Sequence, residues 1–280
     1  MGEPFVGSEA VASGRLTPYQ LRSRFVAVHP DVYVSRGADL SAVERARAAW
    51  LWSRRRGVLA GQSAAALHGA KWVNSRAPAE LVYQNRHRPN NIRTWSNRLV
   101  EDEVTTIQGI STTSPARTAL DIASRYRKNH AVAAVDALAR ATRLKMADVH
   151  LLVERHRGRP GIRAAREVLA LVDPGAESPR ETWLRLLVIE AGFPPPQTQL
   201  PIYDARYGLL VAEVDMGWED SRIALDYEGD HHRVERRVFN KDIRRSEVIT
   251  ELGWIHLRVT VEDTAAGVVR RLSAAWARRA

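Results

Sequence analysis

The sequence predicts an α+β N-terminal region followed by an α/β domain built on a mixed sheet. Three observations predict it. LTPYQLRSRF and VAVHPDVYVSRG put a capped helix directly before two β-branched runs, the outline of a winged helix. The run Asp173-Pro174-Gly175-Ala176 interrupts helical sequence and marks the clearest domain boundary. Beyond it the pattern reads helix, three strands, helix, strand, helix, which describes a sheet with helices packed on it.

In the first region, Thr17 is placed to cap, Pro18 suits the first helical position and Gln20 completes a capping box. His29, Pro30 and Asp31 break the following β-branched sequence into a hairpin. Helices are expected at 42–56 and 61–70, the second ending near a glycine. Short strands follow in ELVYQ and EVTTIQGI, and then a helix at SPARTALDIASRY with Ser114 as cap. HAVAAVDALARAT and GIRAAREVLALV carry apolar residues at helical spacing. The expected divisions are 1–75 (winged-helix-like, DNA-binding), 76–175 (a small α+β or helical connecting segment) and 176–280 (the α/β domain).

In that last segment, SPRETWLRLLVIEAG is a helix capped by Ser178, opened by Pro179 and stopped by Gly192, with Leu184, Leu187, Val188 and Ala191 on one stripe. QLPIYD, LLVAEVDMGW and RIALDYEG are three strands. A basic helix, roughly VERRVFNKDIRRSEVITELG, leads to the strand WIHLRVT, and Asp263 or Thr264 caps a final helix.

Composition narrows the function. Of 280 residues, 45% are hydrophobic and 26% charged, which excludes a disordered chain. Lys plus Arg number 42 against 32 Asp plus Glu, a formal charge of +10 that favours a polyanionic partner such as nucleic acid, although arginine-rich chains are also basic without one. The absence of cysteine excludes disulfides, thiolate metal sites and a cysteine nucleophile. No apolar run approaches the roughly 20 residues of a bilayer span, and no signal peptide is read, so no membrane role and a cytoplasmic location are expected.

Against that basic background, VDMGWEDSRIALDYEGDHHR concentrates acids. With a four-residue loop from Glu219 to Arg222, Trp218 opposes Ile223, Asp215 opposes Asp226, and Glu213 opposes Glu228. Opposed carboxylates repel unless a cation lies between them, and a hard divalent ion such as Mg²⁺ would bridge them for phosphodiester hydrolysis. The competing reading is the solvated face of an antiparallel sheet, where alternate acids are ordinary. His232 has the chemistry of a general acid or base, and an equally ordinary structural role. Glu181 has two readings, a capping-box glutamate that can also pair with Arg185, or a carboxylate reaching the metal or its water. Arg233, Lys241, Arg244 and Arg245 lie on the basic helix beside the acids, where they read as contacts to a DNA backbone rather than to bases.

ESPRETWLRLLVIEAGFPPPQTQ, AEVDMGW, IALDYEGDHHR, FNKDIRR and LGWIHLRVT together resemble the Vsr-like endonuclease domain of the PD-(D/E)XK nuclease superfamily, over about residues 177–263. The resemblance implies a restriction-endonuclease-like fold, a divalent metal (Mg²⁺ or Mn²⁺) and cleavage or nicking of DNA. Asp215 matches the first motif acid, and Asp226 the second, where the family usually has Glu. Glu228 stands where the superfamily's wider pattern has Lys, Glu181 matches an acid of the first helix, and His232 the histidine after the glycine. The helix and hairpin, with GVLAGQSAAALHGA and ISTTSPARTALDIA, are similar to AbiEi-type antitoxin-like proteins with a winged-helix DNA-binding domain, over about residues 15–125. A toxin–antitoxin or defence-system partner is implied without being identified.

The expectation is a metal-dependent DNA endonuclease or nickase in which Asp215 and Asp226 bind Mg²⁺, Glu181 and Glu228 complete or orient the site, and His232 assists proton transfer. The competing expectation is an antitoxin-like or transcriptional DNA-binding protein whose nuclease fold is inactive. RNA in place of DNA is a third.

Overall fold

The computed structural model describes residues 2–85, 87–204, 206–229 and 245–279. It is a mixed α and β structure that divides into two compact units, one up to Val172 and one from Asp173.

The first unit begins with β1 (Phe5–Val6), α1 (Gly7–Ala12), α2 (Pro18–Arg24), β2 (Phe25–His29) and β3 (Val32–Ser35). The capping box of α2 forms as its sequence predicts: the Thr17 hydroxyl accepts from the Gln20 amide at 3.2 Å, and the Gln20 side chain accepts from the Thr17 amide at 2.8 Å. β2 and β3 form the expected antiparallel hairpin, and β1, which sequence reasoning missed, adds to its other edge in the order β1-β3-β2. A two-residue strand followed by a six-residue helix is too short for either period to register.

α3 (Ala42–Trp52), capped by Ser41 and Glu44, leads to β4 (Val58–Leu59), α4 (Gly61–Leu67), β5 (Ala79–Val82), β6 (Ile92–Trp95), β7 (Val104–Ile107) and β8 (Ile110–Thr113). Five of these are strands of one sheet, in the order β6-β5-β4-β8-β7. β4 lies before residue 75 and its partners β5 and β8 after it, so this sheet spans the expected 75/76 division. EVTTIQGI is a tight hairpin rather than one strand, because Gln108 and Gly109 take φ of 50° and 77° and turn the chain. Leu59, Leu81, Ile92 and Ile110 form the buried face against α3 and α4.

The unit closes with α5 (Pro115–Arg125), α6 (Lys128–Thr142), α7 (Met146–Arg155) and α8 (Ile162–Leu169). Ser114 caps α5 as expected; α7 was not anticipated. Arg117 of α5, 1% exposed, bridges two fully buried acids: it pairs with Glu103 and, at 3.2 Å, with Asp121. Arg159 also reaches Asp121, and His156 reaches Glu103, so α5 is tied to the end of α7 and to the connection between α7 and α8 by one charged network.

The second unit opens with α9 (Pro179–Glu190), followed by β9 (Gln197–Asp204), β10 (Leu209–Trp218) and β11 (Ile223–Glu228). A helical stretch described over 245–251, α10, precedes β12 (Ile255–Thr260) and α11 (Ala265–Ala277). The four strands form one sheet in the order β12-β11-β10-β9; β11 is antiparallel to β10 and parallel to β12, so the sheet is mixed. Leu184, Val188, Met216, Leu225, Val259 and Leu272 join α9, the sheet and α11 in one core. Gly217 lets β10 and β11 close up, since a Cβ there would stand 2.5 Å from the carbonyl oxygen of Ile223.

Candidate acidic site

The register of β10 on β11 pairs Trp218 with Ile223 and Met216 with Leu225, as the four-residue loop predicts. One step further, ladder bonds give way to side-chain bonds. The amide of Asp215 donates to Asp226 Oδ1 at 2.9 Å, and the amide of Tyr227 donates to Asp215 Oδ2 at 2.6 Å. Each aspartate accepts from the other strand's backbone, so the two carboxylates are held facing each other as β10 and β11 separate.

Strand β12 supplies the cations that the sequence left unassigned. Its parallel register sets His256 beside Ala224 and Arg258 beside Asp226, and each basic side chain leans two residues ahead. His256 Nε2 bonds Asp226 Oδ2 at 2.9 Å, and Arg258 pairs with Glu228. Ser246 of α10 lies 3.1 Å from His256 Nδ1 and orients the ring from behind. Arg245, expected on a DNA backbone, has its Nη1 3.1 Å from Asp226 Oδ2 and a bond to the carbonyl of Glu213. Asp215, Asp226, Glu228, Arg245, His256 and Arg258 line a small cleft of about 130 Å³.

Burial and charge divide the two aspartates. Burial, reinforced by the negative charges of Asp226 and Glu181, pushes the Asp215 carboxyl up to about 7. Burial also acts to raise Asp226, but the bond from His256, the charge of Arg245 and the amide of Asp215 together hold it below the usual carboxylate range. Asp226 is thus the ionised member, with Arg245 and His256 as its own partners. This is the division expected when two carboxylates share a site and only one is compensated.

Glu181 is buried at the start of α9, where it accepts from the Ser178 hydroxyl at 2.8 Å and the Glu177 amide at 2.7 Å. It serves the helix start, through the Glu177 amide in place of the expected Ser178 amide, and its charge also acts on Asp215. Glu213, expected to oppose Glu228, is exposed. His232, Arg233, Lys241 and Arg244 lie outside the described residues. His256 and Arg258 were legible only as alternate residues of WIHLRVT; their relation to the acids needed the β11–β12 register.

Most of the acidic side chains of the cluster are engaged by the protein's own groups. Both oxygens of Asp226 accept from the protein's own groups, Glu228 is paired with Arg258, and Glu181 is engaged at its helix start. Among the described residues no group of three or more His, Asp or Glu side chains is arranged to hold an ion. No helix among them is long and apolar enough to cross a membrane.

Residues 56–171 match the AbiEi antitoxin C-terminal domain family. Two curated relatives are 33% identical over 220 residues, a span of 76% of this chain and 80% of theirs: "Uncharacterized protein MT2308" of Mycobacterium tuberculosis strain CDC 1551 / Oshkosh and "Uncharacterized protein Rv2248" of strain ATCC 25618 / H37Rv. No solved structure matches.

Proposed function

The chain belongs to the same family as these two Mycobacterium tuberculosis proteins, and from that premise we propose that it is a DNA-binding, antitoxin-like regulator whose C-terminal unit is an inactive relative of a nuclease domain. The observation that carries this reading is the match of residues 56–171 to the AbiEi antitoxin C-terminal domain, which covers most of the first unit beyond the hairpin.

The segment before that match supplies a DNA-facing element in this reading. α2 buries Leu21 and exposes Tyr19, Arg22, Ser23 and Arg24, and it runs directly into the β2–β3 hairpin. A short helix with an outward aromatic and two arginines, followed by a hairpin, suits insertion beside a phosphate backbone in the manner of a winged helix. The formal charge of +10 supports the same partner.

Closure of the acidic site supports the inactive reading of the second unit. With Arg245 and His256 on Asp226, and Arg258 on Glu228, the cations that a nuclease would draw from metal and substrate come from the protein itself. In plasmid incubations with Mg²⁺, Mn²⁺ or EDTA, the protein is expected to retard DNA without nicking it. Metal-dependent nicking that disappears in Asp215→Asn would replace this reading with the endonuclease one.

The endonuclease reading is kept because one observation favours it: Asp215, Asp226 and Glu181 are close enough for two of the charges to raise the third group. Such a cluster is the starting point of a Mg²⁺ or Mn²⁺ site. In that reading Arg245 would have to leave Asp226 before any ion could enter.

A further inference from the structure

We propose that the cleft beside Arg54 is a phosphate site that takes one backbone phosphate of duplex DNA next to the hairpin tip; this rests on the DNA-binding reading and gives it a second contact outside α2.

The chain leaves α3 through Ser53 and then sets Arg54 and Arg55 at φ of 55° and 62°. Left-handed backbone is disfavoured for residues with a Cβ, and the position after a helix end is ordinarily given to Gly or Asn. Two successive arginines there keep their side chains against the backbone's preference, and outliers of this kind concentrate where ligands are held. The turn is held by bonds from the Arg54 amide to Leu51 at 2.8 Å and from the Arg55 amide to Trp50 at 3.1 Å.

Two of the three guanidiniums in Arg54-Arg55-Arg56 have visible work inside the protein. Arg55 forks onto the Glu9 carboxylate. Arg56 donates to the Tyr83 hydroxyl at 2.9 Å and lies 5.8 Å from that ring's centre. Arg54 is exposed, and its side chain has no hydrogen bond or ion pair among the described residues. All three line a cleft of about 440 Å³ with Ser8, Tyr83 and Asn85. Two acids also line it, but both are committed: Glu9 to Arg55, and Asp31 to the amide and hydroxyl of Ser8. Asp31 keeps its negative charge, because its serine donors are neutral, so the three arginines exceed the two acids by one positive charge, with the Arg54 guanidinium exposed to use it.

Phosphate is the ligand that suits this remainder, because a guanidinium matches its oxygens in a fork that a point charge does not. The location selects a backbone phosphate. Pro30 and Asp31, at the tip of the β2–β3 hairpin, form part of the rim, so DNA lying along α2 and the hairpin carries its backbone to this cleft.

The test uses the full chain, a labelled duplex and anisotropy titrations over a range of salt. Wild type, Arg54→Gly and Arg54→Ala are compared, with Arg163→Ala, an exposed arginine of α8, as control. Each phosphate contact contributes about 0.9 to the slope of log K against log salt, so both Arg54 variants are expected to lose about that much, equally on unrelated sequences, while the control loses none. Arg54→Gly removes the backbone strain together with the guanidinium, so its thermal midpoint is expected to hold or rise while binding weakens, an outcome that a structural role for Arg54 would not produce. An unchanged slope in both variants would overturn the site and leave the DNA-binding reading standing. If the wild type binds no duplex, calorimetry with inorganic phosphate separates the two: Arg54-dependent phosphate binding would keep the site and remove the DNA, and no phosphate binding would overturn the site as well.

Discussion

Arg245 Nη1 stands 3.1 Å from Asp226 Oδ2, the same oxygen that bonds His256 Nε2 at 2.9 Å. One carboxylate thus gathers an arginine from α10 and a histidine from β12, and the tip of β11 is fastened to both neighbours through it. Among the described residues the acidic stretch is a cluster partly compensated by the protein's own basic side chains.

Arg245→Ala removes half of that compensation. Asp226 keeps His256 but loses its strongest neighbouring charge, so its carboxyl rises toward the ordinary range. Because about a third of the Arg245 side chain is exposed, solvent screens the pair, and the expected loss is roughly 1–2 kcal/mol in a urea titration that follows the second unit. Arg245→Lys should recover part of it, since charge returns without the fork.

Asp215 predicts a pH dependence of stability. Its carboxyl ordinarily titrates at 3.8 and is raised to about 7 in the folded chain, so folding favours the protonated form. Its stabilising contribution is present in full below pH 3.8 and is lost as pH rises toward and through about 7. Asp215→Asn keeps an acceptor for the Tyr227 amide without the charge. Relative to wild type it should gain roughly 2–4 kcal/mol on the alkaline side of this window and little on the acid side, as measured by chemical denaturation across pH.

His29 predicts the opposite trend in the first unit. It is 4% exposed, neither ring nitrogen has a hydrogen-bond partner among the described residues, and burial, with help from Arg45, lowers it from 6.5 to about 4. A base held neutral on folding leaves stability intact above pH 6.5 and withdraws it as pH falls from there toward about 4. The expected loss is roughly 3 kcal/mol across that window, and it should be absent in His29→Leu. Circular dichroism melts at stepped pH would register the difference.

Arg117 holds the matched antitoxin region together. Its loss leaves Glu103 and Asp121 buried with only part of their compensation, from His156, Arg155 and Arg159. Arg117→Met is expected to cost about 3 kcal/mol, because a buried pair broken on one side strands the other charge. A loss near that of a surface substitution would mean that the neighbouring cations take over the acids.

Local signals in the sequence were readable where a few adjacent residues determine the geometry. Thr17 with Gln20, Ser178 with Pro179, and the loop from Glu219 to Arg222 each act over one turn, and the helix starts and the β10–β11 register followed from them. Gln108 and Gly109 escaped because a left-handed glutamine carries no compositional mark. The site was half legible for the same reason. Asp215 and Asp226 meet across a short hairpin, whereas His256 and Arg258 reach the acids through parallel pairing of strands about thirty residues apart. Arg245 read as a DNA contact because its basic helix lies beside the acids; its pairing with Asp226 depends on packing that no local pattern records.

The proposed DNA-binding, antitoxin-like function places DNA on α2. The most direct measurement is anisotropy of a labelled duplex titrated with wild type and with Tyr19→Ala/Arg22→Ala at low and near-physiological salt. The account predicts salt-sensitive binding by wild type and a loss of at least about tenfold in the double variant with its fold intact, about 1.4 kcal/mol. Equal binding by the two proteins, or none by wild type at low salt, would contradict it.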